Sequence, residues 1–459
     1  MRYLAILKDS FREALDTWVL VVMVILSTLS ILAVGTLSFK PLPAKEAMDQ
    51  FFPNPKLQGI SMMFVALNHA ELNRSQVDPE EIKAKREGED ILGRMMLISE
   101  YRLDKVDLVA GEADSPESTY ALTVSELFPR VGKIDDPDKA IEKGTSRVRT
   151  IFQKAEDLGF LKIKEVSGKF EEMKDDAHVA RVRYKVVLEG NSRTLRIWAH
   201  EPSLFFGALP LEAASAPLGY QLYVLGQNVI SIGAWAAILV GVIITSFFIP
   251  NMLAKGTVEM MLVKPINRWS LILYKYVGGL SFIFLINAYA VTGMWLMLGL
   301  RTGLWANGLL LLIVTLTFFF AILYSVSTFV SVATRSIIAT IIVTILVWIA
   351  FAGVGITDNF MSAMNKKEAR IAKREGREEP PKSDMAKAAA LLHSLTPRTE
   401  DLNQLNDQIT FSAFMTGGVE FSEKMRFSER AWWESILVAF IWIAIFLALS
   451  CTWFWLKDY

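Results

Sequence analysis

Long apolar runs alternate with two polar stretches along this chain, and each apolar run is long enough to span a membrane. A helix needs roughly 20 apolar residues to cross the hydrocarbon core of a bilayer. Such runs occupy residues 18–39, 228–249, 271–300, 304–333, 336–356 and 432–456. Only Arg335 separates the fourth run from the fifth, which predicts a tight turn at a membrane face. We therefore expect an α-helical polytopic membrane protein with six transmembrane helices, a count that changes by one if Arg335 makes no turn.

The first polar stretch, residues 40–227, is long enough to fold as a domain between the first two spans. TYALTVSELF reads as a strand, and ARVRYKVVLEGNSRTLRIWA predicts a hairpin that turns at Gly190-Asn191-Ser192. KAIEKGTSRVRTIFQKAEDLGFLKI predicts a helix that stops at Gly159, followed by a short strand. The pattern indicates an inserted α+β domain.

The second polar stretch, residues 357–430, predicts a smaller helical insert between spans 5 and 6. Its first part, NKKEARIAKREGREEPPKSD, is typical of a solvated charged helix followed by a flexible linker, although a site for an acidic partner is the alternative. The later part, LLHSLTPRTEDLNQLNDQITF, is better patterned, and we expect it to pack back onto the membrane-proximal surface.

Basic residues set the expected orientation, because cytoplasmic flanks of membrane spans are enriched in Lys and Arg. They concentrate in the N-terminal tail and in the loop after the second span, whereas the short loop on the other face offers only Arg301. Both termini are then cytoplasmic and both inserts extracytoplasmic, in a protein of the cell membrane. The expected segments are an interfacial helix at 1–16, span 1 at 17–39, the α+β domain at 40–227, spans 2–5 at 228–356 with a loop at 251–270, the insert at 357–430, and span 6 with the C-terminus at 431–459.

Composition and motifs narrow the range of functions that this protein can have. Hydrophobic residues make up 52% of the chain and charged residues 21%, which fits a protein that is half membrane and half aqueous. Lys+Arg and Asp+Glu balance at 48 each, so no nucleic-acid partner is expected. One Cys and four scattered His predict no metal site, and the sequence has no phosphate-binding loop or hydrolase motif. The centres of the spans carry no charged side chain, which disfavours ion-coupled transport and indicates that energy comes from a partner.

Two segments are suited to contact such a partner. In MRYLAILKDSFREALD one helical face carries Leu4, Leu7, Phe11 and Leu15, which predicts an interfacial helix, with a plain charged stop as the alternative. In the loop 251–270 a short amphipathic helix is expected to begin at Gly256-Thr257 and to end before Pro265. Such a helix could dock in a groove on a soluble protein or form only a turn at the membrane surface.

The loop sequence KGTVEMMLVKPINRWSLILYKYVGG resembles the loop between spans 2 and 3 of ABC-2-type transporter permeases. The shared pattern, G-[ST]-x-E-x-x-L-x-x-P-[IV]-x-R followed by a Lys, is met at Gly256, Thr257, Glu259, Leu262, Pro265, Ile266, Arg268 and Lys275. LTPRTEDLNQL is similar to the segment before the last span of many members. The resemblance covers residues 1–39 and 228–459.

The resemblance implies a permease subunit without ATPase activity or cofactor of its own. It would pair with a second permease subunit, identical or different, and bind two cytoplasmic ABC ATPase subunits that hold ATP–Mg. The coupling residues implied are Gly256, Thr257, Val258, Glu259, Leu262, Pro265 and Arg268, and most relatives are exporters. A four-span ABC-linked protein of the mechanotransmission type fits less well, because this chain has two further spans. A membrane-anchored sensor or scaffold is the alternative from another class.

Cysteine labelling tests the predicted topology. In a Cys451→Ser background, a Lys373→Cys variant should react with a membrane-impermeant maleimide on intact cells, because residues 366–377 are placed outside. A Lys8→Cys variant, placed inside, should react only after the cells are opened. Labelling of position 373 from the cytoplasmic side alone would overturn the orientation.

Overall fold

A computed structural model describes residues 19–52, 100–127, 130–131, 137–172, 179–211, 215–247, 249–250, 268–374, 377, 383–416, 426–427 and 430–456. Within these ranges the helices are α1 (Val19–Gly35), α2 (Ala44–Asp49), α3 (Pro137–Asp157), α4 (Leu218–Thr245), α5 (Arg268–Thr302), α6 (Leu312–Thr334), α7 (Ile337–Arg374), α8 (Asp384–Leu395), α9 (Thr399–Phe411) and α10 (Trp432–Leu456). The strands are β1 (Ser38–Pro41), β2 (Tyr101–Ala110), β3 (Thr119–Glu126), β4 (Arg130–Val131), β5 (Leu161–Glu172), β6 (Val179–Gly190), β7 (Ala199–Leu204), β8 (Leu209–Pro210), β9 (Ala216–Pro217), β10 (Arg426–Phe427) and β11 (Arg430–Ala431).

The apolar helices form a bundle around α6. Four stretches of the described chain are long and apolar enough to cross a membrane, and α1 adds a shorter apolar helix; the four are Trp269–Thr302, Asn307–Thr334, Ile337–Ala369 and Trp432–Leu456. The stretch containing α6 is 61% buried, against 22–28% for the other three. It packs against α4, α5, α7 and α10. The outer helices leave apolar side chains uncovered, as expected of surfaces that contact lipid.

Several hydroxyl groups inside these helices bond to their own backbone. Thr245 donates to the carbonyl of Gly241 at 2.8 Å, and Ser450 donates to the carbonyl of Phe446 at 2.6 Å. In hydrocarbon a polar group must find its partner within the protein. These Ser and Thr residues therefore do not imply an aqueous path through the bundle.

Arg335 makes the predicted tight turn. It takes a left-handed conformation with φ of 57°, its N–H donates to the carbonyl of Ser331 at 2.9 Å, and α7 begins two residues later at Ile337. The expected break at residue 356 is absent, because α7 continues as one helix to Arg374. The fifth apolar run and the charged helix after it thus form a single rod.

An antiparallel sheet with one helix packed on it follows α1 and α2. β6 pairs with β3 and β4 along one edge and with β5 along the other, and β2 pairs with β3. The predicted strand over TYALTVSELF and the helix ending before Gly159 are both confirmed, as β3 and α3. α3 comes so close to β6 that a Cβ at Gly144 would overlap the hydroxyl of Tyr184. The core between them includes Val148, Phe152 and Val186, all 0% exposed.

The predicted hairpin at Gly190-Asn191-Ser192 is wrong. The chain instead makes a 3-10 turn at Thr194–Arg196, and β7 joins a second sheet with β1, β8 and β9. The physical reason is local: the hydroxyl of Thr194 donates to the carbonyl of Phe160 at 2.6 Å, which pulls the chain away from β6. Trp198, 1% exposed, then fixes the second sheet by donating from Nε1 to the carbonyl of Leu42 at 2.9 Å.

Two arginines join the sheets to the helix bundle. Arg196 donates from Nη1 to the carbonyls of Ala413 and Phe414, at 2.9 and 2.7 Å. Arg301, at the end of α5, donates from Nε to the carbonyl of Leu37 at 3.0 Å. Burial, and to a lesser extent Arg193, lowers the pKa of Arg196 to about 10, so the guanidinium is still charged at neutral pH. These are charge-assisted hydrogen bonds to backbone carbonyls.

Replacing Arg196 should loosen this junction. An Arg196→Gln variant keeps a polar side chain but cannot reach both carbonyls, and hydrogen bonds from a charged donor contribute about 2 kcal/mol. We expect a lower thermal unfolding temperature in detergent and faster amide hydrogen exchange near residues 410–416. Arg193→Gln, three residues earlier and exposed, is the control. Equal effects of the two variants would contradict the role of Arg196.

Candidate functional site

Most of the predicted coupling residues lie outside the described part of the chain. This holds for Gly256, Thr257, Val258, Glu259, Leu262 and Pro265, and for the interfacial residues Leu4, Leu7, Phe11 and Leu15. Arg268 is described, as the first residue of α5. The loop therefore connects directly to α5, and the first turns of that helix are the structural counterpart of the predicted site.

The first turns of α5 are held firmly against α6. Tyr276 donates its hydroxyl to the carbonyl of Ala321 at 2.8 Å. Its ring stacks on that of Tyr324, with centroids 5.0 Å apart and planes 12° from parallel. At Gly279 an added Cβ would overlap the Tyr324 hydroxyl, so glycine allows the two helices to approach.

The same end of α5 also contacts α10. The thiol of Cys451, on α10, lies 3.9 Å from the carbonyl of Trp269. Lys275, the family-pattern lysine, is 2% exposed, so its stem is enclosed among these helices. A displacement of Arg268 would consequently be passed to both α6 and α10.

A helical arm, residues 383–416, covers the opposite end of the bundle. It comprises α8, α9 and the π-helical turn Ser412–Thr416, and α9 packs against α4, α6, α7 and α10. Leu402, Leu405 and Ile409 are at most 3% exposed on its inner face. Asn406 accepts a hydrogen bond from Thr315 of the bundle at 2.5 Å. The sequence predicted packing onto the membrane-proximal surface, and within the described residues this segment packs against the bundle helices.

A buried ionic cluster ties the arm to α7 and α10. Nδ1 of His393 lies 3.2 Å from Oδ2 of Asp358 on α7, and Nε2 lies 3.6 Å from Oδ1 of Asp401. The second oxygen of Asp401 accepts from Ser435 of α10 at 2.5 Å. Arg398 donates to the carbonyl of His393 at 3.3 Å and lies 3.8 Å from Glu434.

His393 lies between two carboxylates. Its side chain is 4% exposed, and those of Asp358 and Asp401 are 9% and 5% exposed. A neutral imidazole has one N–H and can donate to one of the two, whereas the protonated ring presents an N–H to each. The cluster therefore joins three chain segments through charges that water cannot screen.

An apolar cavity of about 280 Å³ lies between the arm and the bundle helices. It is lined by residues of α1, α4, α5, α6, the 3-10 turn Asn307–Leu311 and the π-helical turn: Met23, Leu26, Ser27, Ser30, Val34, Leu225, Gly226, Val229, Val240, Asn287, Ala290, Val291, Met294, Leu298, Leu309, Leu312, Leu316 and Phe414. No lining residue is charged. The same helix, α5, therefore carries the anchored end near Tyr276 and one wall of the cavity.

Comparison with protein families assigns the chain. A family model described as ABC-2 family transporter protein matches residues 4–459, nearly the whole sequence. The chain belongs to the ABC-2 transporter family. It is a membrane-embedded permease, and the match includes the region between the first two spans that the sequence resemblance left uncovered. The comparison with curated proteins gives no match.

Family membership accounts for the absence of catalytic machinery in the sequence. ABC-2 permeases are normally the non-catalytic membrane components of their transporters, and they associate with an ABC ATPase. The described residues contain no group of three or more His, Cys, Asp or Glu side chains that could hold a metal ion.

The sequence pattern alone did not predict this ionic cluster. His393 was one of four scattered histidines, and Asp358 lies just beyond the expected end of the fifth span. Their contact depends on α7 continuing past residue 356, because only then does Asp358 reach the arm. The available signal was the TPRTED segment, which carries Arg398 and Asp401 and had been singled out only for its resemblance.

Removing the histidine from this cluster should destabilise the arm. A His393→Gln variant removes the imidazole that lies between Asp358 and Asp401, and removing one partner of a buried ion pair costs about 3–5 kcal/mol. We expect earlier thermal unfolding in detergent and faster hydrogen exchange of α9. The double variant Asp358→Asn/His393→Gln should recover part of the loss, because it removes one uncompensated charge.

Lys387→Gln provides a matched control on the same helix. Lys387 pairs with Asp384 at 3.1 Å, but both side chains are exposed, so little change is expected. If His393→Gln and Lys387→Gln unfold at the same temperature, the cluster does not hold the arm.

Proposed function

We propose that this ABC-2 permease is the membrane-spanning subunit of an exporter driven by separate cytoplasmic ABC ATPase subunits, which bind ATP–Mg. The observation that carries the proposal is the loop pattern from Gly256 to Arg268, which runs directly into the anchored first turns of α5. A second permease subunit, identical or different, completes the transporter.

The sequence indicates that the energy for transport comes from another protein. It has no phosphate-binding loop, and the centres of its spans carry no ionisable group with which to couple to an ion gradient. Membership of the ABC-2 family supplies the missing component, an ABC ATPase. The proposed contact is residues 257–263, for which the sequence predicts a short helix with Glu259 near its positive end and Val258 and Leu262 on its apolar face.

The packing of α5 supports a mechanical route from this contact into the bundle. A force applied to the loop reaches α5 at Arg268. Two turns later, the hydroxyl of Tyr276 is hydrogen-bonded to α6. Because packed helices move as rigid bodies, the displacement is carried to α6 and α10 rather than absorbed locally. The N-terminal segment, through Leu4, Leu7, Phe11 and Leu15, would be a second contact.

The proposed topology has six spans: α1, α4, α5, α6, α7 and α10. An even number puts both termini on the same side as the loop 251–270, and the Lys and Arg residues of the N-terminal tail and of this loop indicate that this side is cytoplasmic, with the sheets and the arm outside. The contacts of Arg196 and Arg301 support a common side for the sheets and the arm, because both residues lie at the end of the bundle where α1 leads into β1. A sensor or scaffold would also use these sheets, but it gives no role to the loop pattern.

Co-purification tests the proposal. The chain, extracted in mild detergent, should retain a P-loop ATPase from its native cells. A Val258→Asp variant places a charge in the apolar contact and Glu259→Ala removes the acidic group, so together they should reduce the retained ATPase about tenfold, equivalent to about 1.4 kcal/mol.

Lys387→Gln, an exposed change on the arm, should retain the ATPase at the level of the unmodified chain. If no ATPase is retained by the unmodified chain, the proposed coupling is contradicted. Retention unchanged in the Val258→Asp/Glu259→Ala variant would move the contact away from the loop.

A further inference from the structure

The cavity exists because α1 stands away from α4. Within the described part of the chain, α5 is the only helix on which α1 packs extensively. Met23 and Val34 of α1, Val240 of α4 and Val291 of α5 border the gap that results. Protein interiors rarely leave a void of this size empty, because the atoms around it lose their packing partners.

The cavity opens sideways, beside α1. Leu26 lines it and is nevertheless 47% exposed, and Ser30, one turn further on, is also exposed. The neighbouring exposed residues of α1 are apolar, namely Val22, Ile25 and Leu29. The surface around the opening is therefore apolar, and the opening faces the hydrocarbon interior of the bilayer.

The polar side chains in the wall are largely satisfied by the protein itself. Asn287 donates its amide to Thr317 at 3.1 Å, and Ser30 donates to the carbonyl of Leu26 at 3.0 Å. A buried water needs two to four polar partners, and an apolar cavity of about 150 Å³ already stays dry and takes up benzene. At about 280 Å³, with no charge in its wall, this cavity suits hydrocarbon and rejects a headgroup or an anion.

We propose that the cavity binds one hydrocarbon chain of a membrane lipid, which enters between α1 and α4. The chain fills the space that α1 leaves open and lies against α5 from Asn287 to Leu298. This site depends on membrane insertion and not on the proposed ATPase coupling, so failure to find an ATPase leaves it standing.

Photo-crosslinking in nanodiscs tests the site. The full chain is reconstituted in phosphatidylcholine containing a lipid with a diazirine midway along one acyl chain, and adducts are mapped by residue. We expect more adduct on Met294, which lines the cavity, than on Leu285, which faces outward on the same helix. Ala290→Phe fills the cavity and should reduce the Met294 adduct about tenfold.

Leu285→Phe places the same aromatic ring on the outer face and should leave the Met294 adduct unchanged. Ser27→Phe fills the cavity from α1 and replaces Ala290→Phe if that variant does not fold. Adducts that follow surface exposure alone, or a Met294 adduct that survives a well-folded filling variant, would overturn the proposal. Crosslinks from Leu26 to a second copy of the chain in place of lipid would also overturn it.

Discussion

The hydrocarbon interior of the bilayer offers no hydrogen-bond partner, and this constraint shapes the whole protein. Inside the spans the backbone satisfies itself by forming helices, and hydroxyls such as those of Thr328 and Ser450 bond to carbonyls one turn back. α6 is the most buried of the spanning stretches because the other helices surround it. Charged side chains with a structural role are consequently displaced to the ends of the bundle, where they make its most specific contacts.

At the end of the bundle that adjoins the sheets, these charged side chains hold together chain segments that could otherwise separate. Arg196 holds the π-helical turn after α9 to the second sheet, and Arg301 holds α5 to the chain leaving α1. The cluster around His393 holds the same arm to α7 and α10. These hydrogen bonds and ion pairs therefore add to the apolar packing that links the sheets, the arm and the bundle.

The periodicity of the sequence correctly predicted the features that depend on interactions between residues close together in the chain. The apolar runs and the turn at Arg335 follow from hydropathy and backbone preference, and the strand at Thr119–Glu126 from its alternating pattern. The predicted hairpin after Gly190 failed because a single side chain, Thr194, bonds to a carbonyl distant in sequence. Asp358 and His393 were missed for a similar reason, since their contact requires the exact length of α7 and the return of the arm. Tertiary contacts of this kind leave no periodic signal.

α5 connects the features that matter for transport. It begins at the loop that is proposed to contact the ATPase, is fixed to α6 through Tyr276, forms one wall of the cavity near Asn287, and ends at Arg301 against the segment leaving α1. A helix packed along its length cannot move at one end only, so motion that enters at the loop must alter the cavity or the junction with the sheets. The cavity is the softer of the two, because its outer wall, α1, packs extensively on α5 alone within the described chain. A change in the spacing between α1 and α4 is therefore the response that this packing permits at the lowest cost.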